Sequence, residues 1–270
     1  MTYIDICYRG RFHRIEHHQP IRLSSRINLN DNSINLYGVA PASGEPLHYG
    51  SSVASVSKGG PCNATRINLV PHCHGTHTEC IGHILAGECH VADLQFEPFM
   101  AATLIRVRLQ LIENVKDGYN SSAQKKDLVI TRAAIDDALA LMKSDYLQAL
   151  VISTNAPDWL PEGESAPYFT HQAMERIAAL GVRHLLVDIP SIDRPHDGGR
   201  MDNHRVFWGV GYGSTVEPAR ADCSVTEMIQ VPQDLPSGHY FLSIHLPDIS
   251  GEALPSMPVL FPFSLSKDAK

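Results

Sequence analysis

The sequence predicts an α/β protein, a mixed sheet with flanking helices, and three observations carry that expectation. Residues 103–112 alternate, with Ile105, Val107, Leu109 and Leu111 on one face and Arg106, Arg108 and Gln110 on the other, the pattern of a half-buried strand. Residues 147–153 and 184–189 are short apolar runs of strand length. Before each run stands a stretch with helical spacing: Ile135, Ala138, Leu139 and Met142 behind a Thr131 cap, and the segment from Thr170 through Leu180, which Gly181 ends. Strands alternating with helices imply parallel strands joined by crossovers.

The 270 residues, 43% of them hydrophobic, suffice for one large domain over 1–270, with a divergent N-terminal segment at roughly 1–60. A net charge of −7 and the lack of a basic run argue against nucleic acid or an anionic membrane as partner. No stretch approaches the ~20 apolar residues of a membrane span. Residues 1–10 offer no basic segment followed by an apolar run, so no export signal is expected, the location is expected to be cytoplasmic, and the six cysteines reduced. The expected partner is a small molecule.

Along the chain, the Arg/His-rich beginning (Arg9, Arg11, His13, Arg14, His17, His18) reads as a solvated or interface segment, and a Gly/Pro/Ser-rich run fills 38–60. Tyr3, Tyr8 and Tyr37 are possible pocket aromatics, although core or surface placement explains them more simply. Cys7, Cys62, Cys89 and Cys223 read as packing residues. In open α/β sheets ligands gather at the carboxyl ends of strands, where Asn155 and residues 188–193 would lie; a strand-end turn explains Asp188 and Asp193 without a catalytic role. Residues 209–213 (Gly-Val-Gly-Tyr-Gly) lack the spacing of a dinucleotide loop and read as a turn. Residues 239–246 and 258–263 close the chain as strands.

Metal-ligand and proton-transfer side chains concentrate in one stretch, Pro-His-Cys-His-Gly-Thr-His-Thr-Glu-Cys-Ile-Gly-His at 71–83. In an extended segment side chains two apart share a face, so Cys73, His77, Glu79 and His83 fall together, Cys80 faces away, and Gly75 leaves space. A thiolate, an imidazole and a carboxylate on one point suit Zn²⁺, with His83 placed to move protons. Gly75 and the β-branched Thr76 and Thr78 disfavour a helix here. The competing explanation is a chance grouping in a surface loop of a chain with 15 histidines.

This stretch resembles the cyclase family, which includes bacterial kynurenine formamidases and isatin hydrolases, with the signature His-x-Gly-Thr-His-x-Asp-x-Pro-x-His. Gly75, Thr76, His77 and His83 match; Glu79 stands at the Asp, Cys73 at the first His and Ile81 at the Pro. Downstream, Asp-Ile-Pro-Ser-Ile-Asp at 188–193, His204, Ser-Val-Thr-Glu at 224–227, Leu-Pro-Ser-Gly at 235–238 and Leu246-Pro247 follow the family's order, so the resemblance spans roughly residues 50–263. It has no clear counterpart here of the family's N-terminal Pro-Gly-Asp turn.

The resemblance implies a swivelling β/β/α arrangement and a ligand set of Cys73, His77, Glu79, His204 and Glu227, with His83 as acid/base. Cys73 as thiolate would favour Zn²⁺ over Mn²⁺; alternatively His72 or His74 turns in, and Mn²⁺ becomes possible. The implied activity is metal-assisted hydrolysis of a small-molecule amide, an N-formyl aryl amine or a cyclic amide, by a homodimer or homotetramer. The alternative is a non-catalytic binding relative whose ligand set has drifted, and metal content separates the two.

Overall fold

The computed structural model describes residues 3–30, 34–154, 166–213 and 218–265. Among them, nine strands form one mixed sheet: β1 (Ile21–Arg22), β2 (His77–Glu79), β3 (Met100–Arg106), β4 (Ala149–Ser153), β5 (His184–Val187), β6 (Ser224–Glu227), β7 (Gly238–His245), β8 (Ala253–Pro255) and β9 (Met257–Phe261). Their order is β8-β2-β6-β5-β4-β3-β7-β9-β1. The central four, β6-β5-β4-β3, are parallel, and antiparallel pairs extend the sheet on both sides. This is the mixed α/β class that the sequence predicts.

The apolar runs become the centre of the sheet because they can be buried on both faces. On one face Ile105, Leu150, Ile152, Leu185 and Val187 pack against the helices α2 (Arg132–Leu139), α3 (His171–Ala179) and α4 (Asp202–Trp208). On the other, Leu104, Val151 and Leu186 meet Leu23, Tyr240, Leu242 and Leu260. Both expected caps form: the Thr131 hydroxyl accepts from Ala134 N–H at 3.2 Å, and Thr170 from Ala173 N–H at 3.3 Å. Each such cap stabilises its helix by about 1 kcal/mol.

Three expectations are corrected. Residues 103–112 are not one half-buried strand: β3 starts at Met100, lies between β4 and β7 and is buried on both faces, while Gln110–Leu111 pairs in a separate small sheet. The Arg/His-rich beginning, expected as a solvated or interface segment, keeps Arg9, Arg11 and His18 exposed, yet it is built into a small sheet. Ile4–Tyr8 and Arg11–Ile15 form a hairpin to which Phe263–Leu265 adds a third strand, and His13 is fully buried with Nε2 2.7 Å from the Tyr146 hydroxyl oxygen. Of the four cysteines assigned to packing, Cys223 is buried, whereas Cys7, Cys62 and Cys89 are exposed; no disulfide links any of the six. Asn155 lies outside the described residues. No described helix is long and apolar enough to cross a membrane.

One buried polar side chain in this sheet ties stability to pH. His184 on β5 has Nδ1 2.9 Å from Ser224 Oγ, its ring 5.2 Å from Phe96, and Nε2 without a hydrogen-bond partner. Burial, with help from the Arg183 charge, pushes its pKa down to about 4. The folded value lies below the unfolded one near 6.5, so the unfolded chain takes up the proton first, and this contribution is lost as pH falls from about 6.5 to about 4. We expect His184→Gln to lose less stability than the wild type over that interval, by roughly 3 kcal/mol at its acid end. Denaturant titrations at both ends measure it, and equal losses would mean that His184 is already charged in the fold.

Candidate functional site

The site is built where β2 is inserted between β6 and β8. Antiparallel register sets His77 opposite Glu227 and Pro255, and Glu79 opposite Val225 and Ala253. Side chains two apart on a strand share a face, so His77, Glu79 and Glu227 project together. Thr78 points the other way, where its hydroxyl lies 2.8 Å from those of Thr226 and Ser256. Thr76 anchors the entry to β2: its hydroxyl donates to Met228 C=O at 2.6 Å and accepts from Ser25 N–H at 2.9 Å.

Upstream of β2 the chain is not extended. Pro71–His74 is one helical turn, α1, with proline at its start, where a fixed φ and a missing N–H suit a helix. Gly75 ends it at φ 154, in a place where an added Cβ would stand 2.9 Å from Ile27 Cγ1. A helix turns each successive side chain by about a quarter of a revolution or more, and so the three residues part. His72 reaches the site. Cys73 packs in an apolar cluster with Leu36 and Met228. His74 Nδ1 accepts from Val70 N–H at 2.9 Å, and its Nε2 lies 3.1 Å from Ala40 C=O.

Glu79 is the centre. Its carboxylate is fully buried, with Oε1 2.9 Å from His204 Nε2, and Oε2 3.3 Å from His72 Nδ1 and 3.8 Å from His83 Nε2. Glu227 closes the group, 3.5 Å from His77 Nε2 and 3.7 Å from His204 Nε2, while the Ile192 N–H donates to its Oε1 at 2.8 Å. The ring of His83, which follows on a short 3₁₀ turn, stacks on His72 at 4.2 Å. His204 comes from α4, with Nδ1 2.6 Å from Asp193 Oδ2. His72 Nε2 faces Glu252 at 3.3 Å.

Burial by itself would raise the Glu79 carboxyl, but His83 and His204 hold it well below the usual carboxylate range. Burial likewise opposes charge on His204 and His72, yet Glu79, with Asp193 at His204, raises both. His83 goes the other way: burial pushes it down to about 4, so it is neutral at pH 7. Burial alone raises the Cys73 thiol. At the rim, the Tyr37 ring stands 6.3 Å from that of His196, and burial, then the Glu227 charge, pushes its phenol upward.

Two triads of side chains, His72/His77/Glu79 and Glu79/His83/His204, bring one ligand atom each to within 4.8 Å of the others. The fit to a metal ion rests on two buried atoms that make no well-formed hydrogen bond. His77 Nδ1 lies 3.1 Å from the Gly75 carbonyl, so it carries a hydrogen, while Nε2 and Glu79 Oε2 have only the longer contacts to Glu227 at 3.5 Å and His72 at 3.3 Å. Buried polar atoms are normally paired, and an imidazole nitrogen and a carboxylate oxygen are ligands for a divalent ion.

The sequence-predicted residues His77, Glu79, His83, His204 and Glu227 are thus brought together; Cys73 is not, and belongs to neither triad. His72 takes the place expected of Cys73, and the signal for it was Pro71, which starts a helix. Asp193, assigned to a turn, instead contacts His204; nothing in its spacing announces that. The cavity of about 580 Å³ lined by Asn120, His171, Arg205 and Tyr212 contains none of the candidate ligands.

The fold is shared with solved structures. A potential metal-dependent hydrolase with cyclase activity superimposes with a TM-score of 0.60 at 16% identity, covering 90% of this chain and 97% of that one. An isatin hydrolase bound to the product analogue thioisatinate gives 0.60 at 13% identity, covering 90% and 92%. Isatin hydrolase A from Ralstonia solanacearum gives 0.59 at 13%, covering 90% and 91%. No functionally curated protein matches the sequence. The family described as "Putative cyclase" matches residues 15–194, two thirds of the chain and the part that carries the 71–83 motif, and on that match the chain belongs to the cyclase family.

Proposed function

We propose that the protein is a metal-dependent hydrolase of amide bonds, cleaving an N-formyl aryl amine or a cyclic aryl amide such as isatin. The observation that carries this reading is the pair of buried atoms His77 Nε2 and Glu79 Oε2, which make no well-formed hydrogen bond although His72, His204 and Glu227 converge on them. Family membership and the neighbouring isatin hydrolases support it.

His72, His77, Glu79, His204 and Glu227 would hold a divalent ion, Zn²⁺ or Mn²⁺. Without the Cys73 thiolate the donors are all nitrogen and oxygen, which both ions accept, and Zn²⁺ is expected to bind the tighter. When bound, such an ion supplies Lewis acidity for the amide carbonyl and for the attacking water. His83 is neutral and a quarter exposed, so it can take the proton as water attacks the carbonyl carbon, and return it to nitrogen as the C–N bond breaks. Tyr37 and His196 offer a half-exposed aromatic edge beside the carboxylates, suited to an aryl substituent.

Two sets of variants test the assignment. Purified with Zn²⁺ supplied, the wild type and Cys73→Ala should retain stoichiometric metal by elemental analysis, whereas His72→Ala, His77→Ala and Glu227→Ala should bind it at least about 10 to 100-fold more weakly. Metal loss in Cys73→Ala with retention in His72→Ala would reverse the roles given to these neighbours. His83→Ala should keep its metal and lose about 10² to 10⁴ in kcat on N-formylaniline or isatin. Wild-type turnover in that variant would remove His83 from the chemistry, and a metal-loaded wild type inert toward both substrate types would refute the proposed reaction.

A further inference from the structure

The hydrogen-bonded order around the site extends one layer past the candidate ligands, to a carboxylate that the proposed chemistry does not use. Asp193 is 2% exposed and receives four donors. Its Oδ2 lies 2.6 Å from His204 Nδ1 and accepts from the His204 backbone N–H at 3.1 Å. Its Oδ1 accepts from the Tyr119 hydroxyl at 2.6 Å and from the Asn203 N–H at 2.8 Å. Tyr119 is itself fixed: its oxygen accepts from Arg194 N–H at 3.2 Å, and its ring lies against Tyr168 and His171 at 4.7 and 4.9 Å.

We propose that Asp193, held in place by Tyr119, is a positioning residue that fixes the His204 ring with its proton on Nδ1 and Nε2 turned toward Glu79 and Glu227. The inference rests on the metal-site reading of those residues. A carboxylate only accepts, so the imidazole nitrogen facing it must carry hydrogen. The other nitrogen, 2.9 Å from Glu79 Oε1 and 3.7 Å from Glu227 Oε1, carries a hydrogen by the same rule until an ion binds, and it is this hydrogen, not the one held by Asp193, that an ion among the two glutamates would replace. A second bond to the same carboxylate, from the His204 backbone, leaves the ring little freedom to swing. Partners of this kind orient ligating histidines, and their loss commonly weakens metal binding by about 10 to 100-fold.

Asp193 also ties down the start of α4, so the test must separate positioning from scaffolding. An asparagine presents its NH₂ either to the His204 N–H groups or to the Asn203 N–H, and loses at least one bond in either orientation. Tyr119→Phe is gentler, removing one donor to Asp193 and leaving the His204 contacts in place. Zn²⁺ affinity is measured by competition with a chromophoric chelator for the full-length wild type, Asp193→Asn and Tyr119→Phe, each well below the melting temperature of its own metal-free form.

Asp193→Asn should bind about 10 to 100-fold more weakly, and Tyr119→Phe should show a smaller loss. Long-range ¹H–¹⁵N correlation on the Zn²⁺-loaded wild type should find the His204 proton on Nδ1. Wild-type affinity in both variants, or a proton on Nε2, overturns the proposal while leaving the metal site intact. If Asp193→Asn does not fold, Tyr119→Phe decides, and unchanged affinity there overturns it. A wild type that binds no Zn²⁺ overturns the metal reading itself, and the positioning role with it.

Discussion

A fully buried carboxylate, Glu79, is the constraint on which this architecture depends. An isolated ionised carboxylate is costly to bury, by several kcal/mol even after relaxation, unless opposite charge and hydrogen bonds surround it. Around Glu79 stand His72, His83 and His204, each from a different local structure: a helical turn, a 3₁₀ turn and α4. The sheet brings a second acid, Glu227, to the same group. Two carboxylates converging on one point repel each other, and a cation shared between them, taking the place of the protons on His72 and His204, relieves that repulsion and gives His77 Nε2 and Glu79 Oε2 a partner.

The strand order explains how the chain assembles such a set. The parallel strands β3, β4 and β5 are built largely from apolar runs that bury on both faces, whereas β6 at their edge is buried but mostly polar and ends in Glu227. Polar functional groups therefore collect where β2 joins β6 antiparallel, a position whose other face is stitched by the hydroxyls of Thr78, Thr226 and Ser256 rather than by apolar packing. A three-residue strand leaves its neighbours, α1 and the 3₁₀ turn, close enough to return His72 and His83 to the face already occupied by Glu79.

Much of this was legible beforehand because it is encoded locally. Thr131 and Thr170 cap the helices they were expected to cap, and the apolar runs at 147–153 and 184–189 are strands, because hydroxyl chemistry and apolar clustering act within a few residues. The motif placed His77, Glu79 and His83 together, and its family resemblance added His204 and Glu227 from far along the chain. Period-two reasoning failed at Cys73, since it needs an extended backbone through Gly75, whereas Pro71 starts a helical turn that rotates Cys73 toward Leu36 and brings His72 round. It also misjudged residues 103–112, where alternation beyond Arg106 mimicked a half-buried strand although the residues before it were central to the sheet. The Arg/His-rich hairpin was unreadable for another reason: its third strand is supplied by residues 263–265, a contact that no local pattern can announce.

Backbone strain follows the same geography. Among the described residues, the non-glycine positions with positive φ are Arg9, Asn30, Tyr37, His196, Met201 and Met228. Arg9 and Asn30 lie in turns remote from the chemistry, but the other four border it: Met228 follows Glu227, Met201 precedes the helix carrying His204, and Tyr37 faces His196 at the rim. Each such conformation costs on the order of 1–3 kcal/mol and persists only where surrounding contacts over-determine it. Here those contacts are visible. Met228 is buried, its N–H donates to Ile189 C=O at 3.1 Å and its own carbonyl accepts from Thr76, while Met201 N–H donates to Asp197 Oδ2 at 2.7 Å. The same hydroxyl that seats β2 therefore also holds the bend after Glu227, so the two strands that meet at the site are clamped to each other at the point where both leave regular geometry.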